Sequence, residues 1–400
     1  MTLPVIDLVS AKIDQLKVHL RIVDREIISA TDSAGRIVAE SIHAFRDSPA
    51  TDVSAMDGYA VRCSDINQSS LPVTGTATAG SAPMSLKPRS AIRVFTGGPV
   101  PVEAECVVRR EDCLETETHV TIQVPMDSVA LGQNIRRQGE NAKVGDIVIP
   151  GGSLLTASAF AGAMTFLAKD TIEVFRRVRV HVLNTGDELI EFGRPIEPWQ
   201  IRDSNGPFLE TSLNSMSWVQ THRAMVCDHR AQTEQAICEA LEQCDVLLLT
   251  GGVSMGDTDY VPDSIRAVGG QVVFHRIPIR PGRPMLGAYG PGGQLILGLP
   301  GNPLSVAVTF RRYSLDLIRH VAGFKHAQKV PNLQLDTSDT SSIELTWFRL
   351  AALQTNGNLA LVPSRGSGDT ASLIQSDGFV EIPPNCQSAG IRKFYSWSSF

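Results

Sequence analysis

Residues Asp245–Val261, DVLLLTGGVSMGDTDYV, and Gln294–Phe310, QLILGLPGNPLSVAVTF, decide the fold of this chain. In each, a short apolar run without charge stops at glycines or prolines, and an amphipathic segment follows. A run of strand length that is apolar at every position reads as a strand buried on both faces, as in a parallel sheet. Open α/β sheets bind ligands at the C-terminal ends of such strands. Backbone N–H groups at the start of a following helix favour anions there. Between the two turns lies Arg276-Ile-Pro-Ile-Arg280-Pro-Gly-Arg283-Pro284, three guanidinium groups around a stiff turn. The ligand implied is a polyanion.

Working outward, strands and helices alternate from Arg176 to about Gly323. Strands are expected near Val178–Asn184, Ala224–Cys227, Val246–Thr250, Gln271–His275 and Leu295–Leu297. Helices are expected near Pro207–Val219, Thr233–Gln243, Val261–Ala267 and Leu304–Val321. That alternation predicts a mostly parallel, doubly wound sheet with helices on both faces. Upstream, residues to about Glu40 show helical periodicity (Val5, Leu8, Ile13, Leu16, then Val23, Ile27, Ile28). From about Ser41 to Glu140 short β-type runs are punctuated by Gly and Pro, which reads as an inserted β-rich domain. A polar connector, Lys325–Leu335, leads into a β-type C-terminal region.

The bulk numbers exclude several classes. A chain of 400 residues, 42% apolar, is globular and divides into two or more domains. A formal charge of −6 argues against general nucleic-acid binding, so any basic site is local. Seven cysteines with no C-x-x-C pair suit a reducing cytosol better than a disulfide framework. Charges interrupt the apolar N-terminus, so it is not read as a signal peptide. The uncharged stretch from Ile147 to Ala168 is broken at Pro150-Gly-Gly-Ser153, and its remainder from about Thr156 reads as a tightly packed internal helix. The expectation is a soluble, cytoplasmic protein without a membrane span.

Several carboxylates recur at one predicted sheet edge. Asp187 and Glu188 follow the first strand of the α/β region, Asp228 ends the next, and Asp257 and Asp259 follow the glycine turn. Adjacent acids there suit a hard cation such as Mg²⁺ bridging to phosphates; equally, they are favourable charges near a helix start. Asp57 precedes Gly58 in the β-rich region, a pairing that is also an ordinary turn signal. Pro281 and Pro284 stiffen the backbone around Arg280 and Arg283, reducing the entropy lost on gripping an oxyanion. In Pro300-Gly301-Asn302-Pro303, Pro303 sits near a helix start, where its missing N–H costs nothing. Ser305 follows with a hydroxyl.

Taken in order, SAMDGYAV, TGGPVP, NIRRQGEN, NTGDEL, LLTGGVSMGDTDYV, IRPGRP and GLPGNPLSV resemble the molybdenum insertase family, the bacterial MoeA proteins and the insertase domain of gephyrin. The resemblance spans nearly the whole chain, to the C-terminal SGDTASLIQSDGFVEIP. It implies a multidomain α/β plus β fold. Its parts would be a helical linking domain (1–40 and 141–175), an inserted β-rich domain (41–140), a MogA-like molybdopterin-binding α/β domain (176–324) and a C-terminal β-barrel (325–400). It implies an elongated homodimer whose active cleft pairs the α/β domain of one subunit with the β-rich domain of the other. The activity implied takes adenylylated molybdopterin and molybdate, inserts the metal into the dithiolene and releases AMP with Mg²⁺. Upstream and downstream partners would be a molybdopterin adenylyltransferase and apo-molybdoenzymes or their chaperones.

By position, the resemblance assigns Gly251, Gly252, Ser254, Gly256 and Asp257 to the pterin phosphate or nucleotide. Asp187, Glu188, Asp228 and Asp259 become functional acids, the first three as metal ligands. Asp57 and Thr96 act across the dimer. Arg276, Arg280, Arg283, Pro300, Gly301, Asn302, Pro303 and Ser305 surround the oxyanion, and Asp203 with Asn205 contacts the ligand. Three departures stand out: Asn141 replaces a frequent acid, arginine replaces lysine at Arg280 and Arg283, and Val102-Glu103-Ala104-Glu105 replaces Glu-Gly-Ala-Asp. Two rivals stay open, a molybdopterin adenylyltransferase and a non-catalytic cofactor-binding scaffold.

Overall fold

Helix α1 (Val5–Lys17) lays Val9, Ile13 and Leu16 into the main core. These are spaced four and three residues apart, one face of a helix. Leu8, expected on that face, is 40% exposed. The computed structural model describes residues 5–68, 70–253 and 260–398. Past Lys17 the expected helical periodicity is not realised. Arg25–Ser29 and Ile37–Val38 are strands on either side of Thr171–Phe175. The β-branched pair Ile27-Ile28 is stiff at χ1 and disfavours helix, and antiparallel pairing takes up the backbone groups.

Helix α2 (Ala157–Phe166) forms where the uncharged stretch resumes, yet only Ala163 is buried. The expectation of an internal helix is therefore not met within one chain. The ten residues carry no charge, and apart from Ala163 they are exposed or half-buried.

Two units divide the chain: Met1–Glu40 with Gly151–Phe160 and Thr171–Phe400, and Ser41–Pro150 with Ala161–Asp170. In the smaller unit the main strands are β1 (Gly58–Val61), β2 (Leu71–Ala77), β3 (Ala91–Val94), β4 (Cys106–Arg109), β5 (Cys113–Glu115) and β6 (His119–Ile122). They lie in the order β4-β1-β3-β2-β6-β5. Gly58 has no alternative at the head of β1, because a Cβ there would stand 2.0 Å from the Val108 carbonyl oxygen. The acids of the Val102–Glu105 departure serve this unit: Glu103 accepts from the Leu86 N–H, and Glu105 from the Cys63 N–H. Asn141 accepts from Arg136 at 2.8 Å.

In the larger unit the alternating region builds one six-stranded sheet: β7 (Val178–Thr185), β8 (Val219–Val226), β9 (Val246–Thr250), β10 (Gln271–His275), β11 (Leu286–Tyr289) and β12 (Leu295–Leu299). Its order is β8-β7-β9-β12-β11-β10. The first four strands are parallel, and β11 runs antiparallel to both neighbours. All five residues of β9 and all five of β12 are buried, as uniform apolar runs require. Helices α3 (Asn205–Asn214), α4 (Arg230–Gln243), α5 (Val261–Ala267) and α6 (Pro303–Thr309) follow strands; α6 continues through a wide turn, Phe310–Ser314, into Leu315–Val321. Strand β8 starts five residues before the expected Ala224, and α3 correspondingly ends at Asn214 instead of Val219.

The C-terminal strands Asn332–Asp336, Thr346–Leu353, Leu359–Leu361, Gly378–Ile382 and Gly390–Ser396 close into a barrel through the pairing of Thr346–Leu353 with Gly378–Ile382. Ile279–Arg280 adds to it in parallel, with Arg280 beside Trp347. Among the described residues no helix is long and apolar enough to cross a membrane.

Candidate functional site

Because β8, β7, β9 and β12 are parallel, their C-terminal ends share one edge, and the turns that follow these four strands fall there. Thr185 is followed by Gly186-Asp187-Glu188, Val226 by Cys227-Asp228, Thr250 by Gly251-Gly252, and Leu299 by Pro300-Gly301-Asn302. Gly251 has φ +86, and a Cβ on it would stand 2.5 Å from the Thr185 carbonyl oxygen. Gly251→Ala is therefore expected to lower stability by about 1–3 kcal/mol, read from a urea midpoint. Ser254, Gly256, Asp257 and Asp259 lie outside the described residues.

The loop before α3 is built around Asp203. Its carboxylate is buried and accepts from the Gly206 N–H at 3.0 Å, Arg223 at 3.1 Å and Asn184 at 3.3 Å. Asn184 donates in turn to the Thr250 hydroxyl at 2.8 Å, joining the ends of β7 and β9. With its oxygens so occupied, Asp203 holds the loop in shape. Asn205 donates to the Gly301 carbonyl at 2.7 Å and ties this loop to the Pro300–Pro303 turn.

Asp187, Glu188 and Asp228 gather at the ends of β7 and β8. The Asp228 N–H donates to the Asp187 carboxylate at 3.0 Å. Burial, then the charges of Glu188 and Asp187, push the Asp228 carboxyl above the ordinary carboxylate range. None of the three has a basic partner among the described residues. This unopposed negative charge and hard oxygen donors suit a divalent cation. Among the described residues, however, no three acids stand at metal-ligating positions.

The arginine turn sits elsewhere on that edge, against the barrel. Arg280, Arg283, Pro300, Asn302 and Ser305 line a cleft of about 680 Å³, together with Trp347, Arg349, Ser364, Arg365 and Ser367. Arg280 stands 5.9 Å from the Trp347 ring and Arg349 4.4 Å from it. Arg349 is partly neutralised by Asp339. No carboxylate is among the described lining residues. The Arg280–Arg283 turn rests on α6: a Cβ at Gly282 would stand 2.4 Å from the Thr309 methyl. Asn302 donates to the Ser367 hydroxyl at 2.8 Å, and the Leu304 N–H to the Ser367 carbonyl at 3.1 Å. That amide, expected to be bare for an anion, is therefore occupied.

Arg276 does not join the group. It is exposed, adopts φ +70, and lies outside the cleft lining. A second cavity of about 720 Å³, lined by residues including Arg21, Asp24, Glu26, Arg36 and Arg176, supplies a contrast. There Asp24 pairs with Arg21, Glu26 with Arg36, and Asp245 with Arg176. Of these two, the cleft at the strand ends has four arginines and no carboxylate among its described lining residues, with Arg349 paired to Asp339.

In the smaller unit Asp57 and Thr96 meet. The Thr96 N–H and hydroxyl both donate to the same Asp57 oxygen at 2.8 Å. Those two bonds hold the carboxyl below its ordinary range, so Asp57 is an exposed, firmly ionised acid.

Trp347, Arg349, Ser364, Arg365 and Ser367 were not anticipated as site residues. Ser364-Arg365-Gly366-Ser367-Gly368 is the one local signal, a small-residue loop carrying a cation.

Residues 7–166 match the family model described as the MoeA N-terminal region (domain I and II), and residues 181–320 match a probable molybdopterin binding domain. A molybdopterin molybdenumtransferase of Haemophilus influenzae is 36% identical over 77% of this chain and 75% of its own length. One from Synechococcus elongatus is 31% identical over 94% of each. The crystal structure of a molybdopterin biosynthesis moeA protein from Pyrococcus horikoshii superposes with a TM-score of 0.79 at 26% identity, covering 96% of this chain and 97% of that one.

Proposed function

Since the chain belongs to the molybdopterin molybdenumtransferase family and is a transferase of molybdenum cofactor biosynthesis, we propose that its cationic cleft is where molybdate is received. The observation that carries this is the set of four arginines lining one cleft with no carboxylate among its described walls. Molybdate and a phosphorylated pterin are both anions, and bringing them together costs Coulomb repulsion that fixed cations offset. Arg280 and Arg283 grip oxyanion oxygens, with Ser305 as a hydroxyl beside them. Trp347 gives Arg280 a flat surface to rest on. Asp203 and Asn205 act by position, setting the Pro300–Pro303 turn.

The second substrate is adenylylated molybdopterin, its phosphates lying along Gly251 and Gly252, and AMP is the leaving product. By charge and donor type Asp187, Glu188 and Asp228 suit Mg²⁺, and the three would have to draw closer together to hold it. Bound there, it would neutralise phosphoanhydride charge. Asp228→Asn tests this. Since the folded carboxyl titrates high, charging it costs stability as pH rises through that raised value, so the Asn variant of the metal-free protein should melt higher at neutral pH. The same variant should lose turnover that added Mg²⁺ does not restore. A lower melting temperature with unchanged Mg²⁺ dependence would remove these acids from the metal site.

The uncharged surface of α2 supports a homodimer, with Asp57 and Thr96 contributed across it as the family resemblance implies. Ala161→Glu puts charge on that surface and should halve the mass measured by sedimentation. The reaction itself is tested by supplying adenylylated molybdopterin, Mg²⁺ and molybdate. One AMP per metal-loaded pterin is expected; adenylylated pterin made from ATP without molybdate would favour the adenylyltransferase. The product would pass to apo-molybdoenzymes or their chaperones in the cytoplasm.

A further inference from the structure

In the smaller unit two thiols lie in contact. Cys106 opens β4 and is fully buried, while Cys63 begins the short turn after β1 and is only partly covered. Strands β1 and β4 pair antiparallel with Val61 opposite Cys106. Cys63, two residues beyond Val61, is therefore a diagonal neighbour of Cys106 across the ladder. Their Sγ atoms are 3.8 Å apart. The segments are tied further: the Glu105 N–H donates to the Val61 carbonyl and the Cys63 N–H to the Glu105 carboxylate, both at 2.9 Å. Oxidation has to bring the two sulfurs from 3.8 Å to the ~2.05 Å of a disulfide.

We propose that Cys63 and Cys106 form a redox modification site, a dithiol that a small-molecule disulfide converts to an intramolecular disulfide. The Cys63 thiol loses its proton, and its sulfur attacks one sulfur of the small disulfide. That S–S bond breaks, one small thiolate leaves, and a mixed disulfide remains on Cys63. Cys106, deprotonated, then attacks Cys63 Sγ and expels the second small thiolate. Two protein thiols are oxidised, one small disulfide is reduced to two thiols, and the two protons pass to the leaving thiolates. Burial, then the neighbouring Cys63, pushes the Cys106 thiol up to about 12. The second step is accordingly slow at neutral pH and quickens roughly tenfold per pH unit as thiolate accumulates. The cross-link would fasten the edge strand β4 to β1, the strand that leads out of Asp57.

The test uses the full chain and oxidised glutathione. Samples taken over time at pH 7 and pH 8 are quenched with N-ethylmaleimide, digested without reduction and read by mass spectrometry. A mixed disulfide at Cys63 should appear first and give way to a Cys63–Cys106 linked peptide, faster at the higher pH. Cys106→Ser should stop at the mixed disulfide. Cys63→Ser, at a partly exposed position, should leave Cys106 unreacted. Persistence of the mixed disulfide in the unaltered chain, with Cys106 recovered as a free thiol at both pH values, would overturn the proposal. So would glutathionylation of Cys106 in Cys63→Ser.

Discussion

Arg280→Ala is expected to lower kcat/KM for molybdate by about a hundredfold, the usual cost of removing one donor aimed at developing or bound anionic charge. Arg280 is fixed from two directions. Its strand segment pairs with Thr346 and Trp347 of the barrel, and the turn beyond it is pinned on Thr309 through Gly282. Little backbone order is left to impose when an oxyanion arrives, so less of the interaction is spent on ordering the turn. A dianion beside the cleft otherwise meets Arg283, Arg349 and Arg365, of which Arg349 is shared with Asp339. Arg280→Lys retains charge and loses the bidentate fork, and should fall between the parent and the alanine variant. Initial rates over a molybdate series decide it. Loss confined to molybdate, with pterin binding retained, is the expected pattern; unchanged molybdate dependence would place the oxyanion elsewhere.

Glu381→Ala should be the most destabilising single change outside the apolar core, by about 3–5 kcal/mol. Glu381 is 7% exposed in the barrel strand Gly378–Ile382. It accepts from Arg312 at 3.0 Å and from the Tyr395 hydroxyl at 2.7 Å. Arg312 belongs to the wide turn after α6, so this pair fastens the helix that carries Ser305 to the barrel that carries Trp347 and Arg349. Removing the carboxylate leaves a largely buried guanidinium facing, among the described residues, the rings of Tyr313 and Tyr395 at 4.8 and 5.4 Å. Glu381→Gln keeps the acceptor and should cost less. Denaturant midpoints for both variants check the order, and equal losses would show that packing rather than charge pairing is at stake.

What was legible in the sequence follows from how local each signal is. Strands β9 and β10 and helix α5 fall on the residues expected; β9 is a uniform apolar run between Asp245 and Gly251, which leaves little room for another boundary, and Gly269-Gly270 separates α5 from β10. Strand β11 went unread because Leu286-Gly-Ala-Tyr289 resembles a loop. Its Gly287 is small for a tertiary reason: a Cβ would stand 2.3 Å from the Phe274 ring. The N-terminal strand Arg25–Ser29 was hidden likewise, since its partner lies at Thr171–Phe175. For the site, glycine and proline turns located the sheet edge, whereas Trp347, Arg349 and Arg365 reach it only through barrel closure. The family pattern pointed to Asp57 and Thr96 separately; their meeting is tertiary, as no local spacing links them.

The most direct measurement is crystallographic: crystals soaked in molybdate, with anomalous scattering recorded above and below the molybdenum edge. A peak is expected in the cleft within hydrogen-bonding reach of Arg280, Arg283 or Ser305, absent in Arg280→Ala crystals soaked alike. An empty cleft with the metal bound only at another place, or a peak that survives the substitution, would contradict it.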